Sequence, residues 1–179
     1  MTSTPSSGHS APTDVTEPPP IVKTLIVRAP PEAVFPFFTD PRLMREWIGT
    51  EIELDPRPGG VFRVVPNRVD VIRGTYLEVT PPTRVVFTWG FEGDGQGVPP
   101  GASIVEITLR PVPEGTEVRL VHRSLPDVIR EAHADGWSHY LARVRIAAER
   151  GDPGPDPLAD PSVAHGRATA PFDRRRGRP

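Results

Sequence analysis

The chain has 179 residues, 23 acidic against 21 basic side chains, a formal net charge of −2, and no cysteine. Disulfides, thiolate catalysis and Cys-based zinc sites are therefore excluded, and the near balance of charge argues against broad electrostatic attraction to nucleic acid or membrane. No run of about 18 apolar residues exists, so no membrane span is expected, and a single lysine, Lys23, beside 20 arginines and 25 prolines reads as a GC-rich, bacterial coding bias rather than selection for phosphate binding.

Residues 1–20 are polar, rich in Pro, Ser and Thr, and end in three prolines. They lack the basic start and apolar centre of a secretory signal, so a disordered tail on a cytoplasmic protein is expected. A folded unit follows over residues 21–151. Ile21–Arg28 is β-rich and reads as the first strand. Pro31 suits a first helical turn, Glu32 to Phe38 continue it, and Pro36 keeps it short or kinked. Asp40 N-caps a second short helix carrying Leu43, Met44, Trp47 and Ile48. After two such helices the first strand is free to lie at a sheet edge or to pair with a later strand.

Strands are then expected at Glu51–Leu54, Val61–Val65 and Val69–Val79, the last bent with a candidate bulge at Gly74. The turn signals are Asp55–Gly60, Pro66-Asn67 and Pro81-Pro82. Arg84–Phe91 alternates, with Val85, Phe87, Trp89 and Phe91 on one face. A Gly/Pro-rich loop at 93–101 leads to Ser103–Arg110, then a hairpin turn at Glu114-Gly115, then Thr116–Arg123. These last two strands place Val105, Ile107, Leu109, Val118, Leu120 and His122 on one side. One sheet face is thus apolar and the other wetted.

From Ala134 to Arg150 the chain reads as a long helix with Trp137, Leu141, Val144 and Ala148 on one stripe. Gly136 is expected to allow close backbone approach, and Gly151 with Pro153 ends the helix. Residues 152–179 look like a second disordered tail, with an Arg cluster at its end that reads as solvated. The fold class is α+β: a curved antiparallel sheet of six to seven strands wrapped around one long C-terminal helix. Side chains cannot fill all the space between them, so a hollow bordered by aromatics is expected near the helix ends.

Val27 to Phe35, Trp47, Asp55 to Phe62, Gly74 to Trp89, His133 to Trp137 and Leu141 together resemble the START-like (SRPBCC, helix-grip) superfamily. Within it the chain is similar to the C-terminal domain of the activator of Hsp90 ATPase. The resemblance spans nearly all of residues 21–151. It implies the helix-grip fold and a pocket between sheet and helix, and it carries over no catalytic residue, since one scaffold hosts carriers, receptors and cyclases. The Hsp90 activator has a further N-terminal domain, where this sequence shows a short polar tail.

Little in the residues points to catalysis. His133 and His139 are six apart on a helix and face different sides, no His-Glu-x-x-His or carboxylate cluster occurs, and neither metal nor cofactor is expected. No Gly-x-Ser-x-Gly appears, and Ser138 reads as exposed. Gly93–Gly97 precedes two prolines rather than a helix, so it is no phosphate loop. His122 admits two readings: a ligand-binding or acid–base group, or a histidine satisfied by its neighbours, which is the plainer one. Register decides which face Tyr76 and Arg63 occupy, and a bulge at Gly74 would reverse the tyrosine. Glu53, Asp55, Arg57 and Arg73 read as surface charges.

The expected cavity residues are Trp47, Phe62, Tyr76, Phe87, Trp89, His122, Trp137 and Leu141. Burial of each aromatic is worth roughly 1.5–3 kcal/mol, so packing alone also explains them. Three functions follow: a non-enzymatic carrier of a small hydrophobic or amphipathic molecule, a co-chaperone-like protein-interaction module, or a cyclase- or aromatase-like enzyme with His122 as first candidate. The carrier ranks first, as a monomer or homodimer.

Overall fold

The computed structural model describes residues 18–93 and 97–160. In chain order these are β1 (Ile21–Val27), α1 (Pro31–Val34), a 3-10 turn (Phe35–Phe38), α2 (Pro41–Met44), β2 (Glu51–Leu54), β3 (Val61–Val65), β4 (Ile72–Thr80), β5 (Arg84–Trp89), β6 (Ser103–Val112), β7 (Gly115–Arg123), α3 (Asp127–Ala148) and a second 3-10 turn (Pro157–Ala159). The strands form one curved antiparallel sheet of order β1-β7-β6-β5-β4-β3-β2. β2 to β7 run as a meander, and β1 closes one edge by pairing with β7. The two short helices therefore carry the chain from one sheet edge to the other.

Local chemistry accounts for that crossing. Pro31 opens α1, where its missing N–H is no loss, and Pro36 tightens the next turn into a 3-10 form. Asp40 caps α2 by accepting from the Arg42 amide at 2.8 Å. The Arg42 guanidinium bonded to it holds the Asp40 carboxyl below the ordinary carboxylate range. Phe38, Met44, Trp47 and Ile48 are buried, and the Trp47 indole N–H donates to the Phe37 carbonyl at 2.9 Å.

The inward face of β5, β6 and β7 carries Val85, Phe87, Trp89, Val105, Ile107, Leu109, Val118, Leu120 and His122, none more than 4% exposed. The outer face bears ion pairs, with Glu106 bridging Arg84 at 3.6 Å and Arg123 at 2.8 Å. That face is not wetted throughout: Val86 and Val121, which flank Glu106 in register, are buried.

β4 differs from expectation in two respects. It starts at Ile72, because the Asn67 side chain closes a turn ahead of it, accepting from the Val69 and Asp70 amides at 2.8 and 2.7 Å. The register shift lies between Tyr76 and Glu78 instead of at Gly74. Gly74 is a close-approach position: a Cβ there would run into the Thr88 carbonyl. Tyr76 consequently points inward, fully buried, and its hydroxyl donates to the Phe38 carbonyl at 3.0 Å. Arg63 lies 3.7 Å from Glu51 as an ion pair.

α3 begins at Asp127, seven residues earlier than the apolar stripe suggests. It ends in a Schellman motif: Gly151 N–H bonds Ile146 O at 2.8 Å and Arg150 N–H bonds Ala147 O at 3.0 Å. The left-handed residue is Arg150 (φ 63°), not the glycine. The tail expected from residue 152 does not begin there. Arg143, itself buried, donates to the carbonyls of Pro153 (3.1 Å) and Gly154 (2.9 Å) as well as Trp47 (3.1 Å). His139 pairs with Asp156 at 2.8 Å, and Leu158 is buried. Residues 152–160 are thus a strap held on α3. The expected tails at 1–17 and 161–179, with the terminal Arg cluster, lie outside the described residues.

Candidate functional site

The apolar stripe of α3 lies on the inward sheet face, with Trp137, Leu141 and Val144 at 3% exposure or less. A polar, open groove lies between the start of β1 (Ile21 to Lys23) and the first turns of α3 (Asp127, Arg130, Glu131 and Ala134). Separate from it, more apolar and more enclosed, a cavity of about 80 Å³ remains between helix and sheet, open to solvent on one side. The sheet supplies Ile72, Trp89 and Phe91, and the turn before β4 supplies Asn67 and Asp70. The helix supplies His133, Gly136, Trp137 and Tyr140, and the strap supplies Leu158. Positions 133, 136, 137 and 140 share one helical face by their spacing. Gly136 contributes only backbone to this wall. A Cβ built there meets nothing within 4 Å, so this glycine widens the cavity instead of permitting the close approach expected of it.

Behind the wall runs a closed polar chain. The Trp137 indole N–H donates to His122 Nδ1 at 3.0 Å. An indole nitrogen only donates, so Nδ1 is the bare nitrogen and Nε2 carries the hydrogen. Nε2 then donates to Ser103 Oγ at 2.8 Å, and Ser103 donates to the Trp89 carbonyl at 3.1 Å. Every group in this chain is satisfied. Burial, with a smaller repulsive contribution from His133, lowers the His122 pKa to about 3. His122 is a neutral, structural pivot whose two nitrogens are both engaged.

His133 is different. Its Nδ1 lies 3.0 Å from the Ile129 carbonyl one helical turn earlier and must donate to it. Its Nε2 is buried with no partner. Burial lowers its pKa below the ordinary histidine value, so Nε2 stays a bare acceptor. The Trp89 indole N–H is likewise buried without a partner. Two of the wall's side chains thus hold an orphan polar atom, one donor and one acceptor, each shielded from solvent.

Of the residues expected at a cavity, Trp89 and Trp137 stand on its wall, their ring centroids 5.1 Å apart. Phe62, Tyr76 and Phe87 form a packed aromatic layer behind it, with Phe62 stacked on Phe87 at 4.1 Å and Tyr76 edge-on to Phe62 at 5.7 Å. Trp47 packs against Phe38 and Tyr140, at 5.9 and 6.3 Å. Leu141 sits in the core and His122 in the chain just described. Sequence reasoning missed His133, Gly136 and Tyr140 as wall residues. Their signal was the same i, i+3, i+4, i+7 spacing that picked out Trp137, extended one turn towards the N-terminus. No group of three metal-ligating side chains converges among the described residues, and none of their helices is long and apolar enough to cross a membrane.

The family model for activator of Hsp90 ATPase homolog 1-like protein matches residues 28–149. An AHSA1-like protein of Rhizobium etli, solved by solution NMR, is 40% identical over 78% of this chain and 87% of its own, with a TM-score of 0.62. A crystal structure from Chromobacterium violaceum is 28% identical over 78% of this chain and all of its own, with a TM-score of 0.62. DynU16, from the dynemicin biosynthetic locus, is 25% identical over 75% of this chain but 48% of its own, with a TM-score of 0.66. No curated protein matches.

Proposed function

Since the chain belongs to the activator of Hsp90 ATPase homolog 1-like family, we propose that it binds a small hydrophobic or amphipathic molecule in the cavity between sheet and α3, without transforming it. The observation that carries this reading is the half-open, largely apolar cavity itself, set between the inward sheet face and α3 and bordered by the buried core. A space of about 80 Å³ takes only a small part of a ligand, and the open side leaves the rest of it outside. Trp89 and Trp137 form the floor, and Phe62, Tyr76 and Phe87 brace it from behind.

Gly136→Leu tests this reading. The site is helical, so replacing glycine does not strain the backbone, and the new side chain enters the cavity. Native mass spectrometry of the purified protein is expected to show a small-molecule adduct in the wild type and none in Gly136→Leu, at equal circular dichroism. Failure of every cell-extract fraction to displace an apolar fluorescent probe from the wild type would refute the reading.

Two observations favour other functions. The family's description supports a protein-interaction module, and retention of an Hsp90-type ATPase on the immobilised protein would be its evidence. DynU16, a protein in the dynemicin biosynthetic locus, is the neighbour that keeps an enzyme as the second alternative. Against the second, His122 would have to release Trp137 or Ser103 before moving a proton.

A further inference from the structure

We propose that residues 155–159 are a lid on the cavity, pivoting at Gly154 and latched by the His139–Asp156 pair, which opens to admit a ligand larger than the closed space. The inference rests on the small-molecule reading above and adds how the ligand enters. Leu158 lines the cavity and is buried. Every other described residue of that wall belongs to the sheet, the turn before β4 or α3. Leu158 is thus the part of the wall carried by a short strap rather than by the sheet–helix body.

The strap is held unevenly along its length. The Arg143 guanidinium donates to the carbonyls of Gly154 at 2.9 Å and Pro153 at 3.1 Å, but reaches that of Pro155 only at 3.5 Å. The firm anchor therefore ends at Gly154, whose φ of 67° is the left-handed conformation that glycine adopts without strain. Pro155 and Pro157 fix their own φ angles, so the part beyond this pivot moves as a stiff unit. Its shape travels with it: Asp156 accepts from the Leu158 amide at 2.9 Å through its side chain and from the Ala159 amide at 3.0 Å through its carbonyl. The latch is the His139 Nε2 contact with Asp156 Oδ1 at 2.8 Å, on a histidine that is partly exposed. The closed state is also poised. It buries the Leu158 side chain, but it strands Asp156 Oδ2 in the interior with no partner, and opening returns that oxygen to water. The two contributions oppose each other and are of similar size.

The chain has no cysteine, so a single thiol can be placed at will. Leu158→Cys puts one on the lid, and Val144→Cys, a near-isosteric change at a fully buried position of α3, puts one in the core. Reaction with 5,5′-dithiobis(2-nitrobenzoate) reads how often each is uncovered. The lid thiol is expected to react at least about tenfold faster than the core thiol, and about tenfold faster again when His139→Ala is added. N-Phenyl-1-naphthylamine, a neutral three-ring fluorescent probe larger than the closed cavity, supplies the second measurement, by stopped flow. His139→Ala is expected to raise its association and dissociation rates together, about tenfold each, with affinity kept within about threefold, because a gate is crossed in both directions. Equal reaction of the lid and core thiols, or a lid rate unmoved by His139→Ala, means that the strap opens only with the whole fold and overturns the inference. Faster dissociation with association unchanged overturns it too, since the strap is then only a contact. In each of these cases probe binding to the wild type leaves the cavity reading standing. No binding of the probe to the wild type removes the cavity reading and the lid with it.

Discussion

Acidification from pH 7 to pH 5 should remove about 2 kcal/mol of stability through His122 alone. In the unfolded chain its pKa returns to about 6.5, whereas in the fold it lies at about 3. The folded value is depressed, so the unfolded state binds more protons between these limits, and stability is complete above about pH 6.5 and falls as pH drops towards about 3. At pH 7 the unfolded imidazole is mostly neutral. At pH 5 it is almost wholly protonated while the folded one is not, which at about 1.4 kcal/mol per pH unit gives the stated loss. The main cause is burial of the ring, with a smaller repulsion from His133, and a second ring proton would also face the Trp137 N–H across 3.0 Å. His133 shifts in the same direction and adds to the loss. Urea denaturation at fixed temperature, run at half-unit pH steps, measures it. His122→Gln is the matched variant, because the amide keeps one acceptor and one donor and does not titrate. Its stability should fall less between pH 7 and pH 5, by about 2 kcal/mol. Identical slopes for wild type and His122→Gln would refute the assignment of a neutral, doubly bonded His122.

Tyr76→Phe removes the hydroxyl that reaches the Phe38 carbonyl and should cost about 1 kcal/mol, read as a lower urea midpoint at an unchanged m-value. Arg143→Lys should release the strap, since one ammonium cannot reproduce the guanidinium fan over the Trp47, Pro153 and Gly154 carbonyls. Limited proteolysis between residues 152 and 160 would then be faster than in the wild type, and unchanged protection would count against that role. Gly136→Ala should raise stability by about 0.5–1 kcal/mol, because nothing opposes its Cβ and the unfolded chain loses freedom. A lower melting temperature for Gly136→Ala would show that the helix is crowded there after all.

Alternation made the sheet readable. Val85, Phe87 and Trp89, then Val105, Ile107 and Leu109, declare an inward face within single strands, and Gly/Pro turns separate those strands. The start of α3 was not readable, because its first turn offers little to bury: Val128 is 82% exposed. His133 was placed on a helix all the same, but it lay ahead of the stripe that identified the inward face. The strap was illegible for a different reason. Arg143 binds backbone carbonyls, which every residue possesses, so a Pro/Gly-rich stretch that looks like a tail gives no sign of being held. The register shift in β4 could not be placed either. A glycine invites a bulge, but at Gly74 the space was taken by the Thr88 carbonyl of the next strand, a contact made only in the assembled sheet. The satisfied state of His122 required two partners, Ser103 and Trp137, that lie 19 and 15 residues away.

The placement of β1 sets an order of events. Its residues pair with β7, so that Ile21 meets His122 about a hundred positions later in the chain. During synthesis the first strand is made early and its partner emerges late, after the whole meander. Until then its hydrogen-bonding groups have only water, and Ile21 and Val27 have no core to enter. Loop closure over such a span is slow and entropically expensive. The seam between β1 and β7 therefore cannot form before β7 is made, and the ribosome must release most of the domain before its first strand finds a place.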